Sequence, residues 1–173
     1  MINMDPQIRL REHRRLLARF PVNRYVRRLV AKAEAMGISF APSPVAEQWL
    51  YHPEDRIIYV WEPDLERESL SYIVVVLAHE LGHAVDFSTN PLHLRLVRDL
   101  HWSQVPVEIE VAAFVQGFRI LKELSIPVSL DQYERMISPA IAATVRRRLE
   151  TYHLCCLLSH AGAAQQPAEA AVS

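Results

Sequence analysis

Apolar side chains recur every three to four positions through most of this chain. Only between residues 38 and 61 does the spacing shorten to the runs of extended structure. Residues 8–20 set Leu10, Leu16, Leu17 and Phe20 among Arg9, Arg11, Arg14, Arg15 and Arg19, and a similar pattern follows at Val22, Val26, Leu29, Val30 and Ala33. Two amphipathic helices are predicted, meeting near Pro21, with Gly37 closing the second. Three short runs of β-branched or aromatic residues follow, Ile38 to Ala41, Gln48 to Tyr51 and Ile57 to Trp61, and read as strands. His52-Pro53-Glu54-Asp55 supplies turn chemistry, so Trp49 to Trp61 is expected to be a hairpin.

From Ser69 or Ser71, either of which can cap a helix, the chain is apolar almost all round to about Phe87. Ile73-Val74-Val75-Val76 alone favours a strand, but a strand carried through residues 79 to 83 would misalign two histidines four positions apart. A buried helix is therefore expected. Asn90-Pro91 opens a short helix to about Leu100, and His101 to Val105 reads as a loop. Helices are then expected from Pro106 to about Leu124, from Ser129 to Ile137, and from Ser138-Pro139 to about Ser159. The last stretch, 161–173, has no periodicity and reads as a disordered tail. The fold class expected is α+β: a mostly helical single domain, 1–160, with a small antiparallel or mixed sheet beside the buried helix and a basic helical segment at 1–36.

Composition refines this picture. Half of the 173 residues are hydrophobic, enough for one substantial core. Formal net charge is −1, yet nine of the 19 Lys and Arg fall in the first 35 residues, against three of the 20 Asp and Glu. These arginines read as the solvated face of two packed helices, since no aromatic residues interleave with them and no nucleic-acid module is recognisable. Nucleic acid is not expected as a partner. The charged start, Arg9 to Arg19, is unlike a secretion signal, and Leu70 to Ala78, the longest uncharged apolar run, is about half of a bilayer span. A cytoplasmic protein without a membrane segment is expected. Cys155 and Cys156 are adjacent, which suits a reducing compartment, and read as packing residues.

The chemistry concentrates in His79-Glu80-Leu81-Gly82-His83. On a helix, residues four apart return to one side, so both imidazoles can face one metal ion with Glu80 beside it. A His-Glu-x-x-His helix of this kind holds zinc through two imidazoles and a third protein ligand, leaving a water that the glutamate can deprotonate. Gly82 allows another element to approach closely. Two downstream acids compete for the third position. Glu110 shares a helix face with Ala113, Phe114, Gly117, Leu121 and Leu124, where a carboxylate is costly unless paired or bound to a cation. Glu108 shares a face with Val111, Ala112, Val115, Arg119 and Lys122 in the first turn, where an acid is favoured by the helix dipole alone. Glu110 is preferred and Glu108 is the alternative, with His101 and Asp86 next. Asp86 is either a hydrogen-bond partner for a ligating imidazole or an exposed acid near a helix end. Tyr72, Tyr133, Tyr152, His101 and His153 are of the right type to stabilise an oxyanion, and nothing in the sequence ranks them.

Leu77-Ala78-His79-Glu80-Leu81-Gly82-His83 resembles the motif helix of metallopeptidases of the ImmA/IrrE type, and Tyr51-His52-Pro53-Glu54-Asp55-Arg56-Ile57-Ile58-Tyr59-Val60 resembles their preceding hairpin. Glu108 to Val115 is similar to their downstream ligand helix, with Ala112 or Phe114, according to alignment, where the family has Asn or Asp. The resemblance spans roughly residues 45 to 124 and implies a zincin-like fold and a zinc endopeptidase, some members of which cut transcriptional repressors. The expected function is hydrolysis of a peptide or protein substrate by Glu80 and one zinc ion held by His79, His83 and Glu110. The substrate is expected to add a strand along Ile57 to Trp61. Two alternatives stand beside it: a metal-stabilised, non-catalytic binding protein using its basic helices, and a hydrolase of some other carbonyl compound.

Overall fold

Two helices that cross backbone against backbone carry the fold. The computed structural model describes residues 5–98, 100 and 104–163, with side chains described as far as Tyr152. In chain order the elements are α1 (Pro6–Leu17), α2 (Arg24–Ala35), β1 (Ser39–Pro42), β2 (Leu50–His52), β3 (Ile57–Val60), α3 (Asp64–Arg67), α4 (Leu70–Thr89), α5 (Pro91–Arg98), α6 (Val107–Glu123), α7 (Leu130–Glu134) and α8 (Pro139–Ala163). The described chain is mostly helical with a small mixed sheet, an α+β arrangement.

Ser69 caps α4 by accepting from the Tyr72 N–H, and the helix runs two residues beyond Phe87. Its β-branched run is helical, because burial on every side outweighs a weak local preference. A Cβ added at Gly82 would stand 2.0 Å from the Ala113 carbonyl oxygen, and one at Gly117 would stand 2.8 Å from that of Ala78. The glycines therefore let α4 and α6 touch through their main chains. By length and composition α4 could cross a membrane, but 72% of its most apolar window is buried inside the protein. A continuous core extends from Leu16 on α1 to Leu149 on α8.

Sheet order is β1-β3-β2, with β1 parallel and β2 antiparallel to β3. The expected hairpin is present as β2 and β3. The expected substrate edge is not, because Ile57–Val60 is the central strand and has a neighbour on each side. All four of its residues are buried, as a strand covered on both faces requires. The unpaired edge next to the hairpin belongs to β2. A further difference is α3, a single turn after Pro63 where the sequence reading had only a connection.

The basic N-terminal helices are tied into the structure. Arg15 forms a forked pair with Glu62 at 2.8 and 2.7 Å, and Arg19 bridges Glu62 and Glu66. Arg9 reaches Ser39 and the Arg56 carbonyl, and Arg28 donates to the Leu124 carbonyl at 2.9 Å. At the other end α8 continues to Ala163, into the stretch expected to lack structure. The rest of that tail, 164–173, lies outside the described residues, as do His101 and the side chains of His153, Cys155 and Cys156.

Candidate metal centre

His79 and His83 are one turn apart on α4, and both are under a tenth exposed. Their Nε2 atoms lie 3.2 Å from each other. Glu110, in the first turn of α6, completes the group: Oε2 is 3.3 Å from His79 Nε2 and Oε1 is 3.5 Å from His83 Nε2. The close glycine contact brings that turn of α6 within reach. Glu108, two positions earlier, points away and pairs with Arg148 on α8. The helix-face reading of the two acids therefore matches their placement.

The three groups are strongly coupled electrostatically. Burial pushes the Glu110 carboxyl up, but hydrogen bonds to His79 and His83 overcome it and hold the group well below the usual carboxylate range. Burial pulls the His83 imidazole down, and its bond to Glu110 with the charges of Glu80, Glu110 and Asp86 more than reverses this. Two imidazole nitrogens and a carboxylate this close repel through their lone pairs unless a proton or a metal ion lies among them. His79, His83 and Glu110 form a group able to hold a metal ion. The outward Nδ1 atoms of both rings are buried with no hydrogen-bond partner. Ring packing orients them instead: Phe114 stacks on His79 with centroids 3.9 Å apart, and Phe87 lies beside His83.

Glu80 is buried next to the trio, and desolvation raises its carboxyl above the ordinary value against the opposing pull of His79 and His83. One of its oxygens, Oε2, has no hydrogen-bond partner. A cleft of about 850 Å³ opens over His79, Glu80, His83 and Glu110. Trp49, Leu50, Tyr51 and His52 line it, so β2 borders the metal group, and Phe87, stacked beside Tyr51, and Arg98 line it as well.

No family model, no curated protein and no solved structure matches the chain.

Asp86 does not bond either ligating imidazole. It is buried and meets His93 on α5 at 2.7 Å, because one turn past His83 the helix presents its side chain to α5. Among the described candidates for oxyanion stabilisation none lines the cleft. The Tyr133 hydroxyl is buried and donates to the Phe114 carbonyl at 2.7 Å, Tyr72 faces Asp64, and Tyr152 lies beneath Arg119. Gln48, His52, Glu54 and Arg98 are polar side chains in the cleft to which the sequence assigns no functional role. Only the position of His52 and Glu54 within the hairpin preceding the motif could have pointed to any of them.

Proposed function

We propose that the protein is a zinc-dependent metallopeptidase with a zincin-like arrangement of motif helix, bordering edge strand and third-ligand helix. The observation that carries this reading is the spacing of the three ligand atoms, 3.2, 3.3 and 3.5 Å. Ligands placed tetrahedrally about 2.0–2.1 Å from one ion stand about 3.3–3.4 Å apart, so the trio suits zinc without rearrangement. When bound, zinc supplies a Lewis acid that polarises the scissile carbonyl and lowers the pKa of a water molecule.

Glu80 is the general base. Its raised carboxyl pKa, caused by burial, brings it closer to neutrality, where it can take a proton from water and return one to the leaving amine. The substrate lies extended along β2, which has no strand on its outer side and borders the cleft. Trp49, Tyr51 and Phe87 give that groove apolar walls for substrate side chains. A cytoplasmic protein with an unfolded or loop segment is the substrate class in view, and the cleavage would be regulatory.

Glu80→Gln tests this directly. Zinc content should remain stoichiometric and folding unchanged, while cleavage of an unfolded protein substrate falls by at least about a hundredfold. Zinc bound without cleavage by the wild-type protein would favour the alternative of a metal-stabilised binding protein.

A further inference from the structure

On the face of α4 and α6 turned away from the metal cleft lies a second, open cavity of about 570 Å³, bordered by α8. Asp86, His93, Gln116, Arg119, Arg147 and Arg148 are among its polar lining. Two of its charges are matched in the structure: Asp86 by His93 and Arg148 by Glu108. Two are not. Arg119 pairs with no carboxylate among the described residues; its Nε is buried without a partner, its guanidinium lies 3.9 Å over the Tyr152 ring, and its one hydrogen bond is a long 3.4 Å contact to the Gln116 amide. Arg147 opens onto the same cavity and pairs with no described carboxylate.

We propose that this cavity is an oxyanion-binding site, taking a phosphate or carboxylate group carried on a small molecule. A guanidinium with a buried, unsatisfied N–H and a face fixed on an aromatic ring is oriented but lacks its acceptor. The planar fork of arginine matches the two oxygens of a carboxylate or phosphate, and stacking on Tyr152 leaves the edge of that fork free to meet them. Arg147 adds a second positive charge, and Thr151 and Gln116 add neutral polar groups around it. An anion there would meet the outer edge of the Arg119 guanidinium and bring the cavity's net charge toward zero. The site shares no residue with the proposed peptidase chemistry, so it stands or falls independently of that function.

Calorimetric titration of the full chain with inorganic phosphate and, separately, with malonate at constant ionic strength tests this. Wild-type protein should bind one of them saturably at millimolar concentration or below, and the preferred anion identifies phosphate or carboxylate as the group. Arg119→Gln and Arg147→Gln should each weaken that binding by about tenfold or more, whereas Arg135→Gln, outside the cavity, should leave it unchanged. Absence of saturable binding of both anions, or equal affinity in wild type and Arg147→Gln, would overturn the proposal. Arg147 is exposed, so its variant keeps the test valid even where Arg119→Gln misfolds.

Discussion

Glu108 and Glu110 differ by two positions and share a helix turn, yet they belong to different environments. Glu110 sits between two buried imidazoles, while Glu108 is solvent-facing beside Arg148. Glu110→Ala is expected to deplete bound zinc, as measured by metal analysis of the purified protein, because two imidazoles alone hold the ion weakly. Glu108→Ala should retain the metal and cost less than about 1 kcal/mol in thermal or denaturant unfolding, since it removes only a surface ion pair. Zinc retained at full stoichiometry by Glu110→Ala would remove the proposed ligand set. Tyr133 presents a different kind of dependence. Its phenol is fully buried, and Tyr133→Phe removes its hydrogen bond to the Phe114 carbonyl, which keeps its helical donor, at a cost of about 0.5–1.5 kcal/mol. Desolvation raises the Tyr133 phenol far above its usual range and, with Asp64 adding to it, raises Tyr72 to about 12 from the ordinary 10.0. Both stay neutral in the folded protein after the unfolded chain has begun to ionise. Their contribution is therefore complete below pH 10 and is lost as pH climbs from 10 toward 12 and beyond. Melting temperature followed on the alkaline side should fall less steeply in Tyr72→Phe.

At the level of elements, the crossing of α4 and α6 decides where the ligands can be. Gly82→Ala places a methyl into the Ala113 carbonyl, and neither partner is a flexible side chain that could move aside. The expected cost is about 3 kcal/mol or more, with loss of bound zinc as α6 is displaced. Equal stability of Gly82→Ala and wild type in denaturant titration would show that the helices separate freely. Gly37 makes the contrast: a Cβ there has room, 3.9 Å from the Arg56 guanidinium, but φ is +70°, so Gly37→Ala should cost only about 1 kcal/mol of backbone strain and leave zinc bound. Much of this architecture was legible in the residues. His79 and His83 required a helix through a stretch where Ile73 to Val76 argued for a strand, and Gly82, Ala113 and Gly117 announced a tight contact. What was not legible depended on partners far away in the chain. No local feature places β3 between β1 and β2, although the unbroken Ile57-Ile58-Tyr59-Val60 run carries the mark of a strand covered on both faces. The single turn α3 is shorter than one period of the pattern that reveals helices. Asp86 was read against its own helix, whereas its partner His93 arrives from the next one.

Across the whole molecule, Glu62 fastens the N-terminal helix to the segment leading into α4. The forked bond from Arg15, with Arg19 beside it, outweighs partial burial and lowers the Glu62 carboxyl below its ordinary value of 4.5. Its stabilising effect is thus present above pH 4.5 and fades as pH falls below it. Because the pair lies at the surface, with the Arg15 side chain 42% exposed, the effect is modest, and it should appear locally: amide exchange in α1 is expected to quicken on acidification in the wild type, and in Glu62→Gln to be fast already at neutral pH. Unchanged α1 exchange in that variant would show that apolar packing by Leu16 and Phe20 alone holds the helix.

The burial of α4 also bears on how the chain is made. Its principal neighbour, α6, begins at Val107, so a ribosome must complete α5 and the following connection before the partner exists. During that interval a 20-residue helix as apolar as a bilayer span is exposed on the nascent chain without its cover. Translation stopped after Arg98 should therefore release an insoluble fragment, and the emerging segment is the natural point for a chaperone to engage.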